Sequence, residues 1–153
     1  MNFSITRRGE YGVTAILYLA HRKPGDLTQI HEIADHCGLP EPFLAQILRL
    51  LVRAGIVVSK KGVRGGFALG RQPQEISFLE VLEALEGPVA VNRCQNPADD
   101  CGKRGCCSMQ PVWTRAQQAL VTVLEDSKLS EAVNPDLFPY RTAEAVRKET
   151  RAG

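Results

Sequence analysis

The sequence predicts a mainly α-helical fold with a small β-hairpin wing, arranged as a winged helix-turn-helix followed by a long dimerisation helix. Apolar residues recur at helical spacing in the N-terminal third, a basic glycine-rich hairpin follows, and a second helical pattern returns after a cysteine-rich segment. We expect a winged-helix domain over 1–87, a cysteine-rich loop over 88–110, a dimerisation helix over 111–128 and a flexible tail over 129–153.

Short helices are predicted in the N-terminal part of the chain. The first follows a cap at Ser4 or Thr6 and runs to about His21. The second begins after Thr28, whose hydroxyl is expected to cap it, and the third spans about residues 41–54. Because a tight glycine-containing turn joins the second and third helices, they are predicted to form a helix-turn-helix.

The third helix has an outward polar face made of Ala45, Gln46, Arg49 and Arg53. In a DNA major groove, Gln can pair with adenine through two hydrogen bonds, and Arg can bind guanine or phosphate. The face therefore suits a recognition helix. An ordinary solvent-exposed face of a helix would show the same pattern. The segment that follows is what favours a recognition helix over a solvated face.

That segment is a predicted hairpin with a basic, glycine-rich tip. Two β-type runs, over 56–59 and 67–69, flank three cations and three glycines. Glycine allows close backbone approach, and Lys and Arg neutralise phosphate. An enzyme phosphate loop would end in Gly-Lys-Ser/Thr and lead from a strand into a helix, which this segment does not do. The predicted DNA contacts are Thr28, Ala45, Gln46, Arg49, Arg53, Lys60, Lys61, Arg64 and Gly65.

Charge is distributed unevenly along the chain. Residues 1–71 carry 10 Lys/Arg and 5 Asp/Glu, whereas residues 72–153 carry 9 and 12, within a total of +2. This asymmetry suits a protein that meets a polyanion at one end, although chance patterning would also produce it. The apolar stretch over 11–20 is too short to cross a bilayer and no cleavage site follows it. We therefore expect a cytoplasmic protein that makes no membrane contact.

The cysteine-rich loop contains Cys94, Cys101, Cys106 and Cys107. In a reducing compartment such thiols serve as metal ligands or redox groups, and thiolates suit zinc or an iron–sulfur cluster. The gaps of six, four and zero residues lack the paired Cys-x2-Cys steps of many structural zinc sites. The spacing favours a cluster, with a thiol redox switch and a zinc site as alternatives. Cys37 is expected to be a small buried hydrophobe.

Two further helices are predicted in the second half. A capping box at Ser77 and Glu80 begins a helix that ends near Glu86. The helix after Pro111 runs to about Ser127 and carries an apolar stripe of Trp113, Ala116, Leu120, Val123 and Leu124. Within the chain only the first helix could cover this stripe, so we expect the helix to self-associate and form a two-fold dimer that reads palindromic double-stranded DNA.

These residues resemble the bacterial iron–sulfur winged-helix regulators that include IscR and NsrR. The similarity covers about residues 1–125 and is strongest over 5–15, the third helix, 64–70 and 94–113. The resemblance implies a homodimer with an iron–sulfur cluster held by three loop cysteines. The cysteines at the matching positions are Cys94, Cys101 and Cys107, with Cys106 as the fallback for the third ligand.

The fourth ligand is where this sequence departs from part of the family. IscR-like members have a histidine at the position of Gln110, which is a poor iron ligand. NsrR-like members instead use a carboxylate from the first helix of the partner subunit, and that position aligns with Glu10. The resemblance thus implies Glu10 of the partner subunit as the fourth ligand, with a solvated helix residue as the alternative. A [2Fe-2S] and a [4Fe-4S] cluster are both compatible with this ligand set.

The function implied by the resemblance is transcription regulation, most simply repression, without enzymatic activity. The cluster would set DNA affinity and sense nitric oxide, redox state or iron and cluster supply, and transient contact with cluster-assembly proteins is expected. One alternative is a cluster-free regulator of the same fold that responds to thiol chemistry or a small metabolite. An enzyme or electron carrier is disfavoured because His21, His31 and His36 all lie in the first two predicted helices, far along the chain from the cysteines.

Overall fold

The computed structural model describes residues 5–134. Within this range the helices and strands are, in order, α1 (Arg7–Ala20), α2 (Ile30–Cys37), α3 (Glu41–Arg53), β1 (Val57–Lys60), β2 (Gly66–Leu69), α4 (Phe78–Glu86), α5 (Gln110–Asp126) and α6 (Leu129–Ala132). Short 3₁₀ turns lie at Pro73–Glu75 and Arg93–Gln95. This order confirms the predicted winged helix-turn-helix with a long helix after the cysteine loop.

The turn between α2 and α3 forms as the sequence indicates. Gly38 ends α2 in the left-handed conformation at φ 66°, which costs glycine little, and Pro42 lies in the first turn of α3. The inner face of α3 is fully buried at four positions and packs into the main core, namely at Leu44, Ile47, Leu48 and Leu51. This apolar stripe fixes which face of α3 remains outside.

The wing is an antiparallel hairpin in which Val57 pairs with Leu69 and Lys60 with Gly66. Thr28 extends this sheet, because its N–H donates to Phe67 O at 2.9 Å and its carbonyl accepts from Phe67 N at 2.8 Å. The prediction that Thr28 caps α2 is therefore wrong: its backbone pairs with β2, and the next residue, Gln29, occupies the N-cap position.

Residues after α5 return to the core. Leu129 is 0% exposed, and its N–H donates to Ile76 O at 3.0 Å beside a bridge between Ser77 and Lys128. The prediction of a flexible tail from residue 129 is wrong for residues 129–134, since burial of Leu129 fixes α6 against the winged-helix domain. The remainder of that predicted tail, 135–153, lies outside the described residues.

Helix α1 lies close against α4 because glycines face it. A Cβ added at Gly12 would lie 2.2 Å from Leu85 Cδ1, and one at Gly9 would lie 2.4 Å from Glu86 Oε1. The Glu86 carboxylate accepts hydrogen bonds from Thr6 N at 3.1 Å, Thr6 Oγ1 at 2.5 Å and Gly9 N at 3.0 Å. The end of α4 thus satisfies the first N–H groups of α1, a role that the Thr6 side chain does not perform.

Helix α5 packs against α4 and the 3₁₀ turn of the cysteine loop, and none of its residues is buried. Val112 and Val123 are 48% and 62% exposed. Of the predicted stripe, Trp113, Leu120 and Leu124 are half-buried, while Ala116 and Val123 are exposed. This partly covered apolar face suits contact with a second subunit. Across residues 5–134, no helix combines the length and the apolar character needed to cross a membrane.

Candidate nucleic-acid interface and cysteine loop

The outer face of α3 presents the predicted recognition residues. Gln46, Arg49 and Arg53 are exposed, and Ala45 is half-buried. The Arg49 Nε donates to the Ala45 carbonyl at 3.3 Å, which lays the guanidinium along the helix surface. The face can therefore present an amide and two guanidinium groups to a base edge or a phosphate.

The wing tip concentrates exposed cations. Lys60, Lys61 and Arg64 are exposed, and Val63 between them is 96% exposed. The tip is tied to the helix-turn-helix because Gln29 Nε2 donates to Val63 O at 3.3 Å. This hydrogen bond fixes the wing relative to the helix-turn-helix that contains the recognition helix. The sequence pattern did not predict it.

Thr28 and Gly65 do not fit the DNA contacts predicted for them. Thr28 is 0% exposed because it pairs with β2. Gly65 is buried; its N–H donates to Gly62 O at 2.9 Å, and an added Cβ would lie 2.2 Å from Lys60 O. Both residues shape the wing from inside, so the candidate interface is reduced to the exposed members of the predicted set.

The cysteine loop brings three of its four thiols to one small cavity. Cys94, Cys101 and Cys107 line a space of about 90 Å³, together with Asn92, Lys103, Arg104, Gln110 and Trp113. Cys106 is exposed and outside this lining; its Sγ donates to Lys103 O at 3.5 Å. Within residues 5–134, no three His, Cys, Asp or Glu side chains approach closely enough to hold a single metal ion.

Glutamine side chains fix the backbone of this loop, a feature that sequence reasoning missed. Gln117 on α5 accepts from Val91 N at 2.9 Å and donates to Val89 O at 2.6 Å. The Gln110 Oε1 accepts from Gly105 N at 2.9 Å. The loop is thus anchored at both ends to α5. In the sequence, the spacing of the glutamines along α5 was the only indication of this anchoring role. Most surface glutamines have no such role.

A third glutamine lies beside the first ligand candidate. Gln95 Nε2 lies 3.7 Å from Cys94 Sγ and donates to Thr114 Oγ1 at 3.2 Å. Cys94 therefore has an amide donor next to its sulfur, and that amide is itself held by α5.

Glu10 lies in the first turn of α1 and is exposed. It does not line the cysteine cavity of its own chain.

A cluster of titratable groups lies between α1 and α2, away from the cysteine loop. The Tyr18 hydroxyl donates to Glu32 at 3.1 Å, and the His36 ring lies 4.5 Å from the Tyr18 ring. Burial lowers the pKa of His36 and raises the pKa of Cys37 to about 11. Cys37 is therefore protonated near neutral pH; it is half-buried and packs against the core, whereas the sequence predicted a buried side chain.

Comparison with known proteins places these features in a family. The family model described as Rrf2, iron-dependent transcriptional regulator, matches residues 5–135. An HTH-type transcriptional regulator of Rhodobacter capsulatus described as rrf2-like is 31% identical over 135 residues, covering 83% of this chain and 90% of that protein.

Solved structures give the same result. CymR (YrzC), the global cysteine regulator of B. subtilis, is 29% identical with a TM-score of 0.69, covering 86% of this chain and 97% of CymR. IscR of T. potens is 26% identical with a TM-score of 0.70, covering 97% and 98%. The chain therefore belongs to the Rrf2 family of winged-helix transcription regulators and is not an enzyme.

Proposed function

We propose that this chain is a homodimeric, cytoplasmic repressor whose affinity for a palindromic operator is set by an iron–sulfur cluster on the cysteine loop. The observation that carries the proposal is the convergence of Cys94, Cys101 and Cys107 on one cavity in a chain of this family. When bound, the cluster would supply sensitivity to nitric oxide, oxidants or iron supply.

The DNA-facing part of the proposal rests on exposed charge. Arg49 and Arg53 on α3 and the wing cations Lys60, Lys61 and Arg64 are all exposed, and Gln29 ties the wing to α2. In a winged helix the recognition helix occupies the major groove while cations contact phosphates or enter the minor groove. The family's activity as transcription regulators makes duplex DNA the partner.

Dimerisation is supported by α5. It is the longest described helix, it has no buried residue, and Val112 and Val123 expose much of their apolar surface. A two-fold pair of such helices would bury both stripes and set two recognition helices about one helical turn of DNA apart.

The donor set fits an iron–sulfur cluster. Three thiols are soft ligands that suit iron, and a cluster spreads its irons over more space than a single ion. Loading would require a transient donor, which is the reason to expect contact with cluster-assembly proteins.

The fourth ligand proposed is Glu10 of the partner subunit. Gln110 is poorly suited because its amide oxygen already accepts from Gly105 N. Glu10 is exposed in the first turn of α1, whose start is fixed to α4 through Glu86. A carboxylate is a hard, weakly held ligand for such a cluster, so it can be displaced readily, and its release would free α1 relative to the partner's loop.

A thiol redox regulator is the second candidate, favoured by the exposed Cys106 adjacent to Cys107. Similarity to CymR also bears on it, since one solved relative is the oxidized form of Staphylococcus aureus CymR, 26% identical with a TM-score of 0.65. In this alternative the loop thiols themselves would change state and no iron would be bound.

The test is an absorption spectrum with iron and sulfide determination on protein purified without oxygen. We expect a brown protein whose visible bands are lost in Cys101→Ala and retained in the matched control Cys106→Ala. A colourless protein without iron or sulfide would overturn the cluster proposal and favour the thiol alternative. Glu10→Ala is expected to shorten the lifetime of the cluster, and an unchanged spectrum and lifetime would remove Glu10 from the ligand set.

A further inference from the structure

One arginine connects the two halves of the cysteine loop. Arg104 lies between Cys101 and Cys107 in the sequence, and its Nη2 lies 3.3 Å from Cys94 O, 3.3 Å from Asn96 O and 3.2 Å from Asp99 O. A single guanidinium nitrogen is thus shared among three carbonyls of the segment that carries the first cysteine.

The other anchors of the loop, including Gln95 beside Cys94, join it to α5 and do not join its two segments to each other. Gln117 fixes the backbone at 89–91 and Gln110 fixes Gly105, so each holds one end of the loop to α5. In the part of the chain that the structure describes, the hydrogen bonds that cross between residues 92–99 and residues 101–107 are those of Arg104. This side chain therefore supplies the direct hydrogen bonds between the Cys94 segment and the segment of the later cysteines.

Arg104 also brings charge to the cavity. It lines the same space as Cys94, Cys101 and Cys107, beside Lys103. A guanidinium stays protonated at every relevant pH, and its planar fork can hold several acceptors at once, which a lysine ammonium on a flexible stem does less well. Its position allows it to organise the three carbonyls while its positive charge lies at the edge of the cavity.

We propose that Arg104 is the positioning residue of the cysteine loop: its guanidinium holds the Cys94 segment against the Cys101–Cys107 segment, so that three thiols face one cavity before any metal binds. The consequence for a cluster rests on the proposed function, but the positioning itself is a property of the metal-free chain. Groups that orient ligands from outside the coordination shell commonly change metal affinity by about 10- to 100-fold.

The test compares Arg104→Gln, which removes the charge, and Arg104→Lys, which keeps it, with the control Lys103→Gln. The control removes the neighbouring cation and leaves the three carbonyl contacts in place. The first readout is amide hydrogen exchange of residues 94–99 in the metal-free dimer. The second is the rate at which anaerobically prepared protein loses iron to a chelator.

Both Arg104 variants are expected to exchange about tenfold faster over 94–99, while Lys103→Gln matches the unmodified chain. Iron should be lost about tenfold faster from Arg104→Gln, with Arg104→Lys between it and the unmodified chain. Equal exchange in all four proteins would overturn the proposal. If the unmodified chain binds no iron while Arg104→Gln still speeds exchange, the positioning role stands and the cluster proposal fails.

Discussion

Replacing Lys61 by Gln at the wing tip tests whether this hairpin meets the phosphate backbone. Lys61 is exposed, and the structure shows no side-chain hydrogen bond or ion pair for it within residues 5–134. Its removal should therefore leave the folded chain unaltered. Any effect on DNA binding would arise from the loss of a cation at the contact surface.

The magnitude follows from counterion release. Each Lys or Arg that neutralises a phosphate contributes about 0.9 to the slope of log K against log salt. A dimer presents two wings, so Lys61→Gln should reduce the slope by about 1.8, and the triple change at Lys60, Lys61 and Arg64 by about 5. With the slope reduced by 1.8, the fall in affinity between about 50 and about 200 mM salt becomes about tenfold smaller.

The assay is fluorescence anisotropy on random-sequence duplex DNA at several salt concentrations, because this electrostatic contribution does not depend on sequence. The matched control is Lys23→Gln, an exposed lysine that lines the same groove as Leu69, the residue at the end of β2 opposite the wing tip. An unchanged slope for Lys61→Gln, or an equal reduction for Lys23→Gln, would refute the assignment of the wing as a DNA contact.

Other predictions concern the interior. Because Leu129 is fully buried, Leu129→Ala should lower the free energy of unfolding by about 2–5 kcal/mol in urea titrations. The control Val63→Ala, at a residue that is 96% exposed, should change it by less than about 0.5 kcal/mol, and equal effects would contradict the packing of α6. Gly12→Ala should cost about 1–3 kcal/mol in the same titration because its Cβ would meet Leu85, and a neutral outcome would contradict the α1–α4 contact. Burial raises the pKa of Cys37 from 9.0 to about 11, so the stability that the protonated thiol contributes is present below about pH 9 and lost as pH rises through 11. Between about pH 8 and about pH 10.5, the free energy of unfolding of Cys37→Ala should therefore fall less than that of the unmodified chain. Equal falls in the two proteins would contradict the burial of this thiol.

The parts of the fold that follow from local patterns could be predicted from the sequence. The apolar spacing of α3 fixed its inner face, and the capping box at Ser77 and Glu80 begins α4 as expected, with Glu80 N donating to Ser77 Oγ at 3.2 Å. The three cysteines assigned through the family resemblance line one cavity. For α3 and α4 a period or a short motif determines the local geometry, whereas the choice of cysteines came from the resemblance.

The features that depend on tertiary pairing could not be predicted. Threonine is a residue type that often caps helices, but the backbone of Thr28 pairs with a strand nearly forty residues later in the chain. Leu129 lies in a polar segment, and only the return of the chain beside Ile76 explains its burial. The contacts of Arg104 with three carbonyls have no sequence signature, because the sequence does not distinguish this arginine from any other arginine in a loop.

Under the proposed function, the state of the cysteine loop sets the affinity of the dimer for DNA. The direct test is to select an operator from random duplexes with anaerobic protein, and then to measure its dissociation constant for the cluster-loaded dimer and for the same sample after chelation. We expect a difference of about tenfold or more, retained in Cys106→Ala and abolished in Cys101→Ala. Equal affinities of the loaded and chelated dimers would contradict the account and leave a winged-helix regulator with a different signal.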